Sequence, residues 1–398
     1  MNALIIIVAL SLSAYLAFAP RLARSLGWQA TATPLASIMG SGFLVSAPLL
    51  AGIVGNLALL SMMVLLLLAY LVGEVMRFNI RHFEPIENEQ GSTQKVAFLS
   101  RMVLVGAYFI SVSYYLQLLA AFLLSSLGIE SEYGANLISS AFILAICGIG
   151  IWKGLEQLGG IEKYAVSLNL GMIGALLVAL AVYNLDLLQS GSWALADVDS
   201  TINLGDLRVL LGLLIVVQGF ETSRYLGDLY PAEQRISTMR WAQLISSAIY
   251  ILFIGLATVL FHDGLGSDVT AIMTMAAPVA VVLPVLLAVA AIGSQFSAAV
   301  ADSEGAGGLL EDVTNRRLPM RYAYLLIMLI TLVLTWETDV NVIIAYASRA
   351  FALFYCLQSW VALLTARSMA KRSLGREILF AAVAVLCLTV FLFGIPSG

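Results

Sequence analysis

The chain has 398 residues, of which 61% are hydrophobic and only 11% are charged. Soluble proteins place charges on about a quarter of their residues, so this chain lacks the polar groups that a water-facing surface would need. That shortage excludes a soluble enzyme, a nucleic-acid-binding protein and a disordered scaffold. It predicts an all-α polytopic membrane protein whose surroundings are the lipid bilayer.

In chain order, long apolar stretches alternate with short polar segments that cannot form a soluble module. Residues 1–398 are therefore predicted to form a single transmembrane domain. The first stretch is interpreted as a retained helix and not a signal peptide, because no basic residue precedes it and Pro20 follows it. Since about 20 apolar residues cross a bilayer, the sequence predicts about 12 transmembrane helices, at 3–19, 31–54, 56–76, 98–127, 134–152, 162–183, 206–226, 237–261, 271–300, 320–336, 340–366 and 377–395.

The basic residues are distributed unequally between the two sides that these helices define. If the N-terminus is outside, 18 of the 20 Lys and Arg residues lie in inner segments, and the outer loops are acidic. Because basic loops stay in the cytoplasm, the pattern predicts a plasma-membrane protein, or an inner-membrane protein in a Gram-negative cell, with both termini outside. No P-loop sequence is present, so nucleotide hydrolysis by that route is excluded, and no cofactor is expected.

Glycines interrupt two of the predicted helices at matching places. One break falls at Met39-Gly40-Ser41-Gly42, and the other at Gln218-Gly219-Phe220-Glu221. Each glycine costs about 1 kcal/mol in a helix interior, and an unwound turn exposes amides and carbonyls that can bind a solute. The breaks open two groups of five helices, 31–183 and 206–366, whose odd number gives them opposite orientations. Such a pair indicates a secondary transporter, although close packing of helices through small residues is the alternative.

Four short segments resemble the amino acid–polyamine–organocation (APC) superfamily. Met39-Gly40-Ser41-Gly42-Phe43 is similar to the break of its first core helix, and Gln218-Gly219-Phe220-Glu221 is similar to that of its sixth. Tyr70–Glu74 resembles the end of the second core helix, and Asp312–Pro319 resembles the loop after the eighth. The resemblance covers roughly residues 31–366, and it implies a leucine-transporter-type fold of inverted five-helix repeats with discontinuous first and sixth core helices. Helices 3–19 and 377–395 lie outside the repeats.

The resemblance also implies a small organic substrate, most often an amino acid. Its carboxylate would lie on amides near Ser41 and Gly42, and its amino group would face carbonyls near Gly219. An aromatic residue of the fourth predicted helix, Tyr108, is the candidate that covers the substrate, with aromatic packing as the alternative. The predicted substrate-binding residues are Met39, Gly40, Ser41, Gly42, Tyr108, Gln218, Gly219, Phe220, Glu221 and Arg349.

Three modes of coupling stay open. Sodium-coupled relatives of the fold bind the ion between the first and eighth core helices, which implies carbonyls of Ala36 and Met39 and hydroxyls of Ser294 and Ser297. The serines alternatively bond their own helix backbone. Proton-coupled members commonly carry a Lys in the fifth core helix, and that place falls on Asn169 here. Sodium coupling, proton coupling, and exchange or uncoupled transport are therefore all retained.

Four ionisable residues within or beside the predicted helices are candidates for gating or coupling. Glu221 follows the second break and either carries a proton or pairs with an inner-side cation such as Arg224. Glu74 is expected to form a salt bridge with Arg77. The other two candidates are Asp302, near the inner end of its predicted helix, and Arg349, which either binds substrate or pairs with Glu221 or Asp206.

Other classes of function are possible in principle for a chain of this kind. A channel, or a ligand sensor that reuses the transporter fold, is the main alternative. An integral membrane enzyme acting on lipid would need converging His, Asp or Ser groups, and His82 and His262 are isolated in the sequence. The sequence therefore favours a transporter over an enzyme.

Overall fold

The computed structural model describes residues 1–40, 42–266 and 268–396, apart from the side chains of Ala23 and of residues 156–163. All regular elements in this part of the chain are helices, since segments that face lipid must satisfy their backbone hydrogen bonds internally. The α-helices are α1 (Asn2–Phe18), α2 (Pro20–Ala23), α3 (Leu26–Gly40), α4 (Phe43–Val54), α5 (Ala58–His82), α6 (Ser92–Ser126), α7 (Glu132–Lys153), α8 (Glu156–Gln189), α9 (Leu204–Leu211), α10 (Ala232–Ala257), α11 (Ile272–Ala276), α12 (Leu283–Val313), α13 (Met320–Glu337), α14 (Val340–Ser368) and α15 (Leu374–Phe393).

Ten segments of the described chain are long and apolar enough to cross a membrane. One of them, Leu26–His82, contains α3, α4 and α5, whereas residues 204–225 are divided into short helices and are not among the ten. An all-α polytopic membrane protein is therefore confirmed. The count of 12 helices, the boundaries of the repeats and the external position of both termini stay predictions.

One predicted span is displaced along the chain. The helix expected at 271–300 begins at Leu283 and continues to Val313. Pro278 and Pro284 account for the late start, because proline lacks the amide donor that a residue in a helix interior supplies. Pro284 is tolerated in the first turn of α12, where its amide would have no partner within the helix.

Both predicted helix breaks are present. In the first, α3 ends at Gly40 and α4 begins at Phe43, with Ser41 outside the described residues. In the second, α9 ends at Leu211 and is followed by two 3₁₀ segments, Leu214–Val217 and Phe220–Tyr225. Gly219, between these segments, has a φ of +116°, a conformation that favours glycine. The discontinuous first and sixth core helices are thus confirmed.

The helices at the two ends of the chain pack on the outside of this core. α15 packs against α14, and α1 packs along α8. A Cβ added at Gly171 of α8 would lie 2.0 Å from Ser13 Oγ, and one at Gly174 would lie 2.4 Å from Leu12 Cδ2. The two glycines therefore allow α1 to approach α8 closely, as small residues do between membrane helices.

Candidate substrate site

The two helix breaks lie directly against each other. A Cβ added at Gly219 would lie 2.5 Å from Ser37 Oγ and 2.8 Å from the Ile38 backbone nitrogen. A Cβ added at Gly42 would lie 2.7 Å from Cγ1 and 2.9 Å from Cα of Val216. Each broken helix therefore contributes a glycine that lets the other helix approach, and this contact, called the crossing below, explains why the glycines occur in both.

Side chains from neighbouring helices satisfy backbone groups that the breaks release. Tyr250 of α10 shares its single hydroxyl proton between the Val216 carbonyl and, at 3.3 Å, the Ile38 carbonyl, so one hydroxyl joins both broken helices. Gln295 Nε2 of α12 donates to the Gly40 carbonyl at 2.9 Å. Because buried carbonyls without partners are costly, these bonds stabilise the crossing in the arrangement described here.

A cavity of about 580 Å³ extends from one end of the molecule to Ser37, beside the crossing. Its volume falls within the range typical of small-molecule sites. Asp228 and the largely exposed Asp312 lie at its open end, on the side that the positive-inside rule predicts to be cytoplasmic. The other polar residues that line it come from both broken helices, α6, α8 and α12, and include Thr33, Ser37, Tyr108, Asn169, Thr222, Ser294, Ser297, Asp302 and Glu304.

The described lining of this cavity is acidic. It contains four carboxylates, those of Asp228, Asp302, Glu304 and Asp312, and no Lys or Arg among the side chains that the structure describes. Asp302 is predicted near the inner end of its helix, but α12 continues past it to Val313. Asp302 therefore lies deep inside the cavity. It accepts a hydrogen bond from Ser111 Oγ of α6. Such a lining creates a negative potential that favours a cationic group.

Asn169 adds a neutral polar group to the wall of the cavity. Its side chain is 5% exposed and lines the cavity, yet it makes no hydrogen bond to any described residue. A carboxamide has two donors and one acceptor oxygen, and buried polar groups are nearly always bonded to protein or water. The Asn169 amide is therefore available to a solute or an ordered water in the cavity.

Aromatic side chains close the cavity at its deep end, opposite the opening beside Asp312. Tyr108, which lines the cavity, packs edge to face against Phe351 with ring centroids 6.1 Å apart. Phe351 lies 6.3 Å from the ring of Tyr355, and Tyr355 stacks on Phe220 at 5.5 Å. This aromatic layer joins α6, α14 and the second broken helix. The cavity is thus open at one end and closed at the other.

Glu221 lies behind this layer, with 1% of its surface exposed. Its Oε2 accepts hydrogen bonds from the Gly219 amide at 2.9 Å and from the Tyr355 hydroxyl at 2.7 Å. Among the described residues no cation pairs with it. Arg224 is instead within 4.0 Å of Glu84 and Glu87, so of the two alternatives for Glu221 the pairing with Arg224 is not the one observed.

The other two charged candidates lie away from the cavity. Glu74 forms the expected ion pair with Arg77, at 3.0 Å, and lies 4.0 Å from Arg240. Arg349 donates from Nε to the Phe391 carbonyl of α15 at 2.7 Å. The structure places Arg349 next to neither Glu221 nor Asp206, whose carboxylate instead caps the start of α9.

The predicted binding residues and the lining of the cavity overlap only in part. Tyr108 lines the cavity, whereas Met39, Gly40, Gly42, Gln218, Gly219 and Phe220 are at the buried crossing, and Ser41 lies outside the described residues. Sequence reasoning did not select Ser37, Thr222, Phe351 or Tyr355. The break motifs predict the position of the crossing. They do not show which side chains, one helical turn away, face the cavity beside it.

The candidate sodium ligands come together from α3 and α12. Ala36, Ser294 and Ser297 line the cavity, and Met39 is buried one turn beyond Ala36. The Ser294 hydroxyl donates to the Ala291 carbonyl of its own helix at 3.1 Å, which is the structural alternative considered for it. The juxtaposition that a sodium site requires is present, and the binding of sodium stays a prediction.

A polytopic helical protein in which two broken helices cross beside a polar cavity has the architecture of a secondary transporter. Comparison with solved structures agrees: a mutant of the Eremococcus coleocola manganese transporter aligns with a TM-score of 0.60 and 13% identity, over 91% of this chain and 85% of that chain. The same transporter, in complex with an aromatic bis-isothiourea substituted compound, aligns with a TM-score of 0.58 and 15% identity, over the same shares of each chain.

Sequence comparison places the chain in a family. The profile of a family described as "APC superfamily transporter" matches residues 20–394. An uncharacterized protein of Aquifex aeolicus (strain VF5) is 40% identical over 398 residues, which cover 98% of this chain and 96% of that protein. The chain therefore belongs to the APC superfamily of transporters, as its motifs predicted.

Proposed function

We propose that this protein is a secondary active transporter that carries an amino acid or a similar amine-bearing solute by alternating access. The main support is the cavity of about 580 Å³, which is open at one end, ends beside the crossing of the two broken helices and is closed at the other end by aromatic residues. A carrier needs a site that is reached from one side at a time, and this conformation represents the state open to the predicted cytoplasmic side.

The chemistry of the lining supports a substrate with an amino group. An ammonium group fits the carboxylate of Asp302, which Ser111 holds in place. The hydroxyls of Ser37 and Thr222 and the amide of Asn169 offer donors for a substrate carboxylate, and the amides after Gly42 would join them once the crossing opens. Among the described residues no three Asp, Glu, His or Cys side chains form a group that could hold a metal ion, so we do not extend the manganese of the structural relative to this chain.

The transport cycle follows from the contacts on each side of the cavity. Passage to the other side requires Phe220 to leave Tyr355 and Phe351 to leave Tyr108, while the open end closes. Arg101 already lies 3.3 Å from Asp312 and 3.7 Å from Glu87, so charged groups are in place to close it. Glycines at both breaks let the half-helices move without carrying a side chain past a backbone.

Two ions are candidates for coupling. Sodium would bind between the carbonyls of Ala36 and Met39 and the hydroxyls of Ser294 and Ser297. A proton would be carried by Glu221, a buried carboxyl group without a paired cation among the described residues. Uptake driven by a sodium gradient and lost in the Ser294→Ala/Ser297→Ala double variant supports the first. Uptake driven by a pH gradient and uncoupled by Glu221→Gln supports the second.

Counterflow in proteoliposomes tests the proposal against a channel or a sensor. Vesicles are loaded with a mixture of the 20 unlabelled amino acids and putrescine, and the uptake of each labelled compound is measured in turn. A carrier accumulates at least one label transiently above equilibrium, and Asp302→Asn reduces that overshoot at least tenfold. The matched control Asp263→Asn, at an exposed aspartate in the loop after α10, leaves the overshoot intact. Passive equilibration of every label, or no uptake, contradicts the proposal.

A further inference from the structure

A second, smaller cavity lies where α5, α10 and α15 meet, outside the transport site. It has a volume of about 70 Å³, and its lining combines charged side chains with apolar ones. Four arginines, Arg77, Arg81, Arg240 and Arg376, form the polar side. Water needs about 10–15 Å³ of such volume, so the cavity has room for a group of several atoms and is too small for most transported solutes.

Positive charge is in excess around this cavity. Glu74 is the one acidic residue in its described lining, and it already pairs with Arg77 at 3.0 Å. Glu233, just outside, pairs with Arg81 at 2.5 Å. Arg240 reaches Glu74 only at 4.0 Å and keeps half of its side chain exposed. Arg376 is exposed and forms no ion pair within the described part of the chain. Two guanidinium groups therefore face the cavity with little or no neutralisation.

The apolar part of the lining lies beside exposed apolar residues. Phe78 packs against Phe380 with ring centroids 4.7 Å apart, and both rings line the cavity. Trp241, next to Arg240, is 58% exposed, and Ile378 of α15 is 60% exposed. Tryptophan is enriched where a membrane meets water, so the cavity is at the level of the lipid headgroups, on the side that the basic residues predict to be cytoplasmic.

We infer that this cavity binds the phosphate of an anionic phospholipid. Phosphate oxygens accept paired hydrogen bonds from guanidinium groups, and basic pockets between transmembrane helices bind acidic headgroups. Arg240 and Arg376 hold the phosphate, while Trp241 and Ile378 contact the glycerol and acyl chains. A bound lipid would bridge α5, α10 and α15, and so it would tie the last helix of the chain to the helix whose Tyr250 holds the crossing.

Lipid binding is measured on the purified, delipidated full-length protein by native mass spectrometry and by thermal shift. Phosphatidylglycerol is expected to bind and raise the apparent melting temperature, whereas phosphatidylcholine and inorganic phosphate at equal concentration are not. The Arg240→Gln/Arg376→Gln variant is expected to bind phosphatidylglycerol about 30-fold more weakly. Arg321→Gln, an exposed arginine on α13, is the matched control and retains full binding.

Three results would overturn the inference. They are equal affinity of the double variant and the unchanged protein for phosphatidylglycerol, equal binding of phosphatidylcholine, and equal protection by inorganic phosphate, which would assign the cavity to a free ion. The melting temperature of the double variant without lipid separates a lost site from a lost fold. Arg240 is half exposed and Arg376 is exposed, and neither forms a close ion pair, so that temperature is expected to match the unchanged protein.

Discussion

The contact between the two breaks gives a sharp test at Gly219. In Gly219→Ala the added Cβ would lie 2.5 Å from Ser37 Oγ, 2.7 Å from the Ser37 carbonyl carbon and 2.8 Å from the Ile38 nitrogen. Two of these three atoms belong to the backbone, so a rotamer change at Ser37 cannot relieve the clash. The φ of +116° at this position adds strain for any residue with a side chain.

The cost of this substitution can be worked from the two effects. Overpacking at a tight contact costs about 1–3 kcal/mol, and an unfavourable backbone conformation adds about 1–3 kcal/mol. Together they destabilise the described conformation by about 2–6 kcal/mol. At about 1.4 kcal/mol for each factor of ten, that loss lowers the population of this conformation at least about 30-fold relative to states in which the breaks are apart.

Thermal unfolding in detergent and a cysteine reporter measure the effect. Gly219→Ala is expected to lower the apparent melting temperature and to change the labelling rate of a cysteine placed at Ser297 in the cavity. The control is Gly148→Ala in α7, where an added Cβ meets nothing within 4 Å and where alanine is the better helix former. If Gly219→Ala matches the unchanged protein in both measurements, the close contact of the two breaks is refuted.

Three further variants test other parts of the site. Tyr250→Phe removes the hydroxyl that bonds Val216 and Ile38 and should destabilise the protein by about 1–3 kcal/mol; an unchanged denaturation midpoint contradicts this. Asp302→Asn keeps a partner for Ser111 but removes the charge, so it should reduce the affinity for amine-bearing solutes at least tenfold in a thermal-shift titration, with Glu311→Gln outside the cavity as control. Glu221→Gln should abolish any dependence of uptake on the pH gradient while Tyr355 still finds an acceptor, and persistent proton-driven uptake would exclude Glu221 as the carrier.

The general architecture could be predicted from the sequence because each membrane helix is a long apolar segment, which the local sequence shows directly. Apolar length alone predicts the class of protein, and glycines beside Met39 and Phe220 predict where two helices break. Helix ends are predicted less accurately. The start of α12 depends on Pro278 and Pro284, and proline changes the hydropathy of a segment less than a charged residue does. The C-terminal end of α12 lies beyond Asp302 because the helix continues through Ser303-Glu304-Gly305 to Val313.

The site could be predicted only in outline. Asp302 is a candidate from its charge within a predicted helix and Tyr108 from the resemblance to the family, and both line the cavity. Its depth in a predicted helix makes Arg349 a candidate for binding substrate, but Arg349 donates to the Phe391 carbonyl. The depth of a residue in a helix does not determine which neighbour it faces. Tyr355 and Phe351 form the closed end through contacts between α14, α6 and the second broken helix, and such long-range partners have no pattern in one sequence.

The most direct measurement of the central claim is the accessibility of two cysteines on opposite sides of the aromatic layer. In a background without Cys147, Cys356 and Cys387, Ser297→Cys reports on the open cavity. Ala347→Cys, one helical turn from Phe351 toward the predicted outer end of α14 and buried in this conformation, reports on the closed side. Each cysteine is labelled with a membrane-impermeant thiol reagent in oriented vesicles. Alternating access predicts that a transported amino acid changes the two labelling rates in opposite directions, from opposite sides of the membrane. If both cysteines are labelled from both sides together, or if neither responds to any amino acid, the account of this chain as an alternating-access transporter is contradicted.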